Sequence, residues 1–164
     1  MNVLYPVQIR FRDLDPLAHV NNTVYFIYFE EARSFYFDQL NMERWPSREE
    51  DQLVHSGEEQ GAHNSRIQTT SMGAHYGSLI KENSCTYHLP MIHADKTEIG
   101  VQVVHIGRTS LIMEQQIRDI QDHERIFATG KTVIVWCNYH TGRPVPVPPM
   151  LRTAIERMEG RAFS

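Results

Sequence analysis

The sequence predicts an α+β fold: an antiparallel five-stranded sheet wrapped around one long buried helix, in the order β-α-β-β-β-β, with a short helix at the end. Three observations carry this. Residues 24–29, VYFIYF, are six apolar or aromatic residues in a row, and a helix without a polar face has to be surrounded. Glu30, Glu31 and Arg33 end that run far short of the roughly 20 apolar residues a membrane span needs. What surrounds the helix is therefore protein. From residue 78 onward, strand-like stretches follow one another across short polar turns, the pattern of an antiparallel meander.

Taken in order, Tyr5, Val7, Ile9 and Phe11 alternate with Pro6, Gln8, Arg10 and Arg12. A period of two with one apolar face predicts a half-buried strand, which Pro16 stops, because proline lacks an N–H and fixes φ. The corner Asp13-Leu14-Asp15-Pro16-Leu17-Ala18-His19-Val20-Asn21-Asn22 comes next. Asn21 or Asn22 is suited to cap the following helix, since an asparagine oxygen accepts from the free N–H groups of a first turn. That helix runs to about Leu40, each fully buried aromatic contributing on the order of 1.5–3 kcal/mol. Glu30 and Arg33, three apart, are placed to pair on its wet edge.

Residues 43–77 are polar, dotted with glycine and weakly periodic. Ser47-Arg48-Glu49-Glu50 has the form of a capping box, and the rest reads as an insertion or long loop over about 45–77. Strands are then expected over 78–89, 97–106, 109–120 and 125–139. Pro149 is placed to open a closing helix. One helix cannot cover both faces of such a sheet, which favours paired subunits.

The chain has 164 residues, with 41% hydrophobic and 22% charged content, as expected of one globular domain over 1–164 with a real core. Sixteen basic against twenty acidic residues give a net charge of -4, and no basic arm supports bulk nucleic-acid binding. Only two cysteines occur, Cys85 and Cys137. That is no disulfide framework and suits a reducing cytoplasm, and the first residues lack the pattern of a signal peptide. The histidines show no metal-ligand spacing, so neither a metal nor another cofactor is expected.

The chemistry concentrates at the corner. Asp15 is either a turn residue that caps backbone N–H groups or a working carboxylate near Asp13, where like charges raise one another's pKa. His19, four residues on, is placed to orient or move a proton. Free N–H groups at a helix start carry about +0.5 of a charge and suit a developing oxyanion. The backbone N–H of Asn22 is the natural donor.

The pattern R-F-x-D-x-D-x-x-x-H-V-N-N-x-x-Y-x-x-Y-x-E-x-A-R over 10–33 resembles the hotdog-fold acyl-CoA thioesterases of the 4-hydroxybenzoyl-CoA thioesterase family, and the related acyl-ACP thioesterases. The likeness continues through Tyr87-x-x-Pro90, Asp95, Gly107-Arg108-Thr109-Ser110 and Thr141-Gly142-Arg143-Pro144-Val145-Pro146. It covers nearly the whole chain except about 45–77.

The resemblance implies a hotdog fold, a homodimer that often pairs further into a homotetramer, and hydrolysis of an acyl-CoA thioester. It implies Asp15 as general base or nucleophile, Asn22 as the backbone donor to the thioester carbonyl, and His19 in the catalytic network. Asn21 and Tyr25 at the helix start are then expected to contact substrate, with Arg108, Thr109 and Ser110 meeting coenzyme A phosphates. The acyl-ACP branch has an asparagine where this chain has Leu17, which weakens that alternative. A hotdog dehydratase would carry a histidine in an H-F-P-like loop, absent here. A non-catalytic acyl-CoA-binding protein of the same fold is the third reading, and it has no need of the Asp15/His19/Asn21 corner.

Overall fold

The computed structural model describes residues 1–40 and 76–163. The expected insertion over about 45–77, with its capping box at Ser47, lies outside the described residues except for Tyr76 and Gly77, which open a strand. In chain order the elements are β1 (Val3–Val7), α1 (Val24–Asp38), β2 (Tyr76–Tyr87), β3 (Thr97–Ile106), β4 (Ser110–Asp119), β5 (Ile126–Asn138), β6 (Arg143–Pro144) and α2 (Pro149–Glu159). The five long strands form one antiparallel sheet in the order β1-β3-β4-β5-β2, and the two-residue β6 adds a sixth strand against β5. β3, β4 and β5 are the expected meander, and α2 starts with Pro149 in its first turn.

The expected end of β1 and the full enclosure of α1 are both corrected. β1 ends at Val7, before Ile9 and Phe11, and Phe11 opens a 3-10 turn with 84% of its surface exposed. What ends the strand is this turn rather than Pro16. Pro6 is tolerated inside β1 because β1 is an edge strand, paired only with β3. Nor is α1 enclosed on all sides. Tyr25, Tyr28, Phe29, Ala32, Arg33 and Tyr36 are buried, while Ile27, Glu30, Ser34 and Asp38 form an exposed stripe. An open groove of about 380 Å³ lies along that stripe, floored by Tyr5 and Phe35.

The buried face of α1 meets the sheet at close range. A Cβ on Gly130 of β5 would lie 2.6 Å from the Phe29 ring, so only glycine lets the ring reach the sheet. Polar atoms in this layer are paired. Gln115 of β4 donates its amide to the Phe29 carbonyl at 2.6 Å, and the Thr132 hydroxyl donates to Asn83 at 2.7 Å. Arg33 does not pair with Glu30 at a wet edge. It is buried and donates to the Thr132 hydroxyl at 3.3 Å, with burial drawing its pKa down against the partial offset of Glu30.

The other end of α1 is tied to α2. Glu159 accepts from the Tyr36 phenol at 2.6 Å and from the Val103 N–H at 2.7 Å, and its second oxygen takes the Asn2 amide at 2.7 Å. One carboxylate thereby joins helix, sheet and chain start, satisfying an N–H where the β3–β4 register shifts between Val103 and His105.

Replacing Gly130 with alanine is expected to destabilise the protein by about 1–3 kcal/mol, the usual consequence of overpacking, measured by denaturant unfolding. A second expectation concerns alkali. Burial raises the phenols of Tyr25, Tyr28 and Tyr36, that of Tyr25 to about 12. The unfolded chain releases these protons near pH 10 while the folded chain still holds them. The stability they contribute is therefore complete below about pH 10 and lost as pH rises through the folded values. Thermal midpoints followed against pH should fall above about pH 10, and Tyr25→Phe should make that fall shallower.

Candidate active site

The corner between β1 and α1 folds into a small closed loop. Leu14 and Val20 pair across it as an isolated antiparallel bridge, and His19 forms a similar bridge to Ile92. Asp15 closes the loop from inside. Its N–H donates to the His19 carbonyl at 2.7 Å, and its Oδ1 accepts the N–H groups of Leu17 at 2.8 Å and His19 at 3.1 Å. Ala18 sits between them at φ 62, a left-handed conformation unusual for alanine. Such strain persists only where the surroundings impose it.

The two carboxylates are treated differently. Asp13 is the buried one: its Oδ2 accepts the Arg10 N–H at 2.8 Å and the Tyr28 phenol at 2.7 Å, and its carbonyl accepts the Asn21 N–H at 2.9 Å. Asp15 is half-buried, and its Oδ2 accepts no hydrogen bond from the described residues. Two N–H groups on one oxygen hold the carboxylate in place and leave the other without a partner among the described residues. His19 is half-buried nearby, but it contacts Asp15 through its backbone; among the described residues no hydrogen bond joins its imidazole to the carboxylate.

The N-cap of α1 is Thr23, with no side-chain cap bond, rather than Asn21 or Asn22. Asn21 lies two residues earlier, and its Oδ1 accepts the Thr23 N–H at 2.9 Å and the Thr23 hydroxyl at 2.8 Å. The side chain expected to contact substrate is thus engaged with the residue before the helix. The N–H of Asn22 is different: the residue is exposed, and no hydrogen bond to that N–H comes from the described residues. A free donor at a helix N-terminus is the electrostatic feature a developing oxyanion requires. Tyr25 does not face solvent. It is buried, with its ring edge-on to Tyr87 at 5.0 Å between centroids.

Residues 91–95 support the corner from below. Met91 accepts the Val20 N–H at 2.8 Å, and Asp95 accepts the Ile92 N–H at 2.8 Å while Arg125 bridges Asp95 and Asp119 at 3.0 and 3.1 Å. Sequence reasoning assigned no part in this support to Tyr87, whose phenol donates to the Asn22 carbonyl at 2.8 Å. Only its place in the Tyr87-x-x-Pro90 motif marked it. The bond from Tyr28 to Asp13 spans fifteen residues and leaves no pattern in the sequence.

Arg108, Thr109 and Ser110 form the tight turn from β3 to β4, closed by Gly107 N–H to Ser110 carbonyl at 2.8 Å. The turn is held from behind: the Thr109 carbonyl accepts from Trp136, and the Arg108 carbonyl from Val147. Arg108 itself is exposed. The chain does not bring this turn to the corner. Ser110 pairs with Val135 toward the end of β5, whereas Tyr87, bonded to Asn22, pairs with Ala128 at the start of β5. The ten residues of β4 separate the two ends of the sheet, roughly 30 Å at 3.4 Å per residue.

Among the described residues no cluster of histidine, cysteine and carboxylates is placed to hold a metal ion, and no helix is long and apolar enough to cross a membrane.

Comparison with known proteins agrees with this architecture. The model of the thioesterase-like superfamily matches residues 9–155. A thioesterase from Thermus thermophilus, crystallised with coenzyme A and Zn, is 30% identical, with a TM-score of 0.70 over 99% of this chain and 97% of that one. A 1,4-dihydroxy-2-naphthoyl-CoA thioesterase from Synechocystis shares the fold at 13% identity, with a TM-score of 0.72 over 93% of each chain. An uncharacterised protein of Bacillus subtilis, YsmA, is 26% identical over 139 residues, 85% of this chain and 75% of its own. The sheet folded over one long helix is the hotdog fold, and the chain belongs to the thioesterase-like superfamily.

Proposed function

We propose that the protein is an acyl-CoA thioesterase of the 4-hydroxybenzoyl-CoA thioesterase type, hydrolysing an acyl-CoA thioester to a free acid and coenzyme A. The observation that carries this reading is the pairing, on one rigid corner, of an open Asp15 Oδ2 with an unpaired Asn22 N–H at the start of α1. The Asn22 N–H holds the thioester oxygen as negative charge develops on it. Asp15 acts on the carbonyl carbon, either directly as nucleophile or by taking a proton from the attacking water. His19 lies on the same loop and orients the water or the carboxylate. Membership of the superfamily and the coenzyme A bound by the Thermus thermophilus relative support the substrate class.

Coenzyme A recognition by Arg108 requires a second copy of the chain. β2 is an edge strand of twelve residues, exposed over most of its length, with Leu79 and Ile80 about half exposed, and the unpaired backbone of so long an edge is a template for another strand. Antiparallel pairing of β2 with its own copy about a two-fold axis sets the Tyr76 end of one strand beside the Tyr87 end of the other. The second copy's Arg108-Thr109-Ser110 turn then lies at the same end as the first copy's Asp15. The acyl group would occupy the seam between the copies beside α1.

Asp15→Asn is expected to lower kcat by at least about two orders of magnitude across a panel of short, long and aromatic acyl-CoAs, read as free thiol. A wild type that binds acyl-CoA without cleaving any of the panel would sink the enzymatic reading in favour of a binding protein. Arg108→Ala is expected to raise KM for acyl-CoA roughly tenfold, the loss of one charge-assisted hydrogen bond. It should leave the acyl-N-acetylcysteamine thioester, which carries no phosphate, unaffected.

A further inference from the structure

We propose that Arg33 and Asn83 form the distal end of the acyl site and recognise a carboxylate there, so that the preferred substrate is an ω-carboxyacyl-CoA. The proposal rests on the thioesterase reading above and on its placing of the acyl group in the seam beside α1.

The site is built from the middle of α1 and the middle of β2. Asn83 and Cys85 of β2 pair with Thr132 and Gly130 of β5. That side of β5 faces α1, since Gly130 meets the Phe29 ring and Thr132 meets Arg33. Asn83 lies on the same side, bonded to the Thr132 hydroxyl at 2.7 Å, and is exposed at the open β2 edge. Tyr87, which reaches the Asn22 carbonyl, lies four residues further along the strand, about 13 Å away at the usual rise. Less the reach of the side chains, that is the span of an acyl chain of about six to ten carbons at roughly 1.2 Å per bond.

Arg33 is 6% exposed yet makes a single hydrogen bond among the described residues, from Nη1 to the Thr132 hydroxyl at 3.3 Å. No carboxylate pairs with it there, and Glu30 stands on the exposed stripe of α1. Burying a guanidinium is costly unless it is paired and its donors are filled. Among the described residues the one sealed side-chain polar atom without a partner is Thr97 Oγ1. The partnerless Nε and Nη2 of Arg33 are therefore not sealed, and stay open to a ligand.

Thr132 fixes what its neighbours present. Its oxygen accepts from Arg33, so its one hydrogen goes to the nearer acceptor, Asn83 Oδ1 at 2.7 Å rather than Gln115 Oε1 at 3.2 Å. The Asn83 NH2 group is thereby turned outward, without a partner among the described residues. The Gln115 NH2 group is already engaged by the Phe29 carbonyl. What remains on offer is donors only, from a cation and an amide. A carboxylate accepts without donating and carries the opposite charge, so it satisfies both. A methyl-ended chain would leave the guanidinium unpaired.

Wild type, Arg33→Met and Asn83→Asp are compared on ω-carboxyacyl-CoAs and methyl-ended acyl-CoAs of equal length, by free thiol release and by thermal midpoint. Wild type should favour the carboxylated series in kcat/KM by about tenfold or more, the contribution of charge-assisted hydrogen bonds. Arg33→Met fills the space without the charge. It should keep its thermal midpoint, lose the preference and still cleave the methyl-ended series. Asn83→Asp sets a negative charge where a donor stood, and should lower kcat/KM on the carboxylated series alone. Because Asn83 is exposed, this variant tests the proposal by itself if Arg33→Met does not fold.

A wild type that cleaves the methyl-ended series at least as well, or a preference that survives either variant, would overturn the proposal and leave the thioesterase reading standing. A wild type that cleaves neither series nor aromatic acyl-CoAs would overturn the proposed function, and this proposal with it.

Discussion

The arrangement depends on one buried carboxylate. Asp13 accepts the Arg10 N–H and the Tyr28 phenol with the same oxygen, and its carbonyl takes the Asn21 N–H. The first bond closes the turn after β1, the second fastens that turn to the second turn of α1, and the third sets where the helix begins. A carboxylate with so little exposure is costly unless its acceptors are filled. The geometry that fills them is the geometry that holds the corner. Asp15 is spared structural duty on one oxygen because Asp13 carries the tertiary contact.

From that node the structure grows by close packing of α1 on the sheet. Gly130 admits the Phe29 ring, Gln115 takes the Phe29 carbonyl, and Thr132 links the buried Arg33 and Gln115 to the exposed Asn83 of β2. Buried polar groups of this kind stabilise only when satisfied together. Their mutual geometry therefore fixes the register of α1 against β4, β5 and β2. Glu159 does the same at the far end, so α1 is fixed at both ends and along its buried face. The helix start is consequently a rigid place from which to aim an N–H group.

The sheet order accounts for the division of the proposed chemistry between two copies. With β2 at one edge and the β3–β4 turn at the opposite end from the corner, one chain keeps the two halves of the proposed coenzyme A site apart. In the proposed dimer a two-fold axis through paired β2 edges would reverse the strand direction of the second copy and bring the missing half across. Asp15, Asn22 and Tyr87 belong to one end of the chain and Arg108 to the other; in the proposed dimer Arg108 would serve the neighbouring copy.

Much of this was legible in the sequence. The aromatic run 24–29, the alternating strands after residue 78 and the turns at Gly107 and Asp122 follow from local periodicity and turn chemistry, which a linear chain displays directly. The corner was legible too, since Asp15, His19, Asn21 and Asn22 lie within eight residues and a helix start exposes N–H groups wherever it occurs. Local pattern did not show where β1 stops, because Ile9 and Phe11 continue the alternation while the backbone has already turned. It did not show that Arg33 is buried against Thr132 rather than paired with Glu30, a choice made by how the helix rolls on the sheet. Nor did it distinguish Asp13 from Asp15: both are aspartates two residues apart, and only the approach of Tyr28 makes one a structural anchor and leaves the other open. By itself the sequence determined the elements, their order and the chemical content of the corner, because these depend on neighbours along the chain. The tertiary structure decided which carboxylate oxygen is left open and what meets the Asn22 carbonyl, because these depend on residues as far apart as Asp13 and Tyr28, or Asn22 and Tyr87.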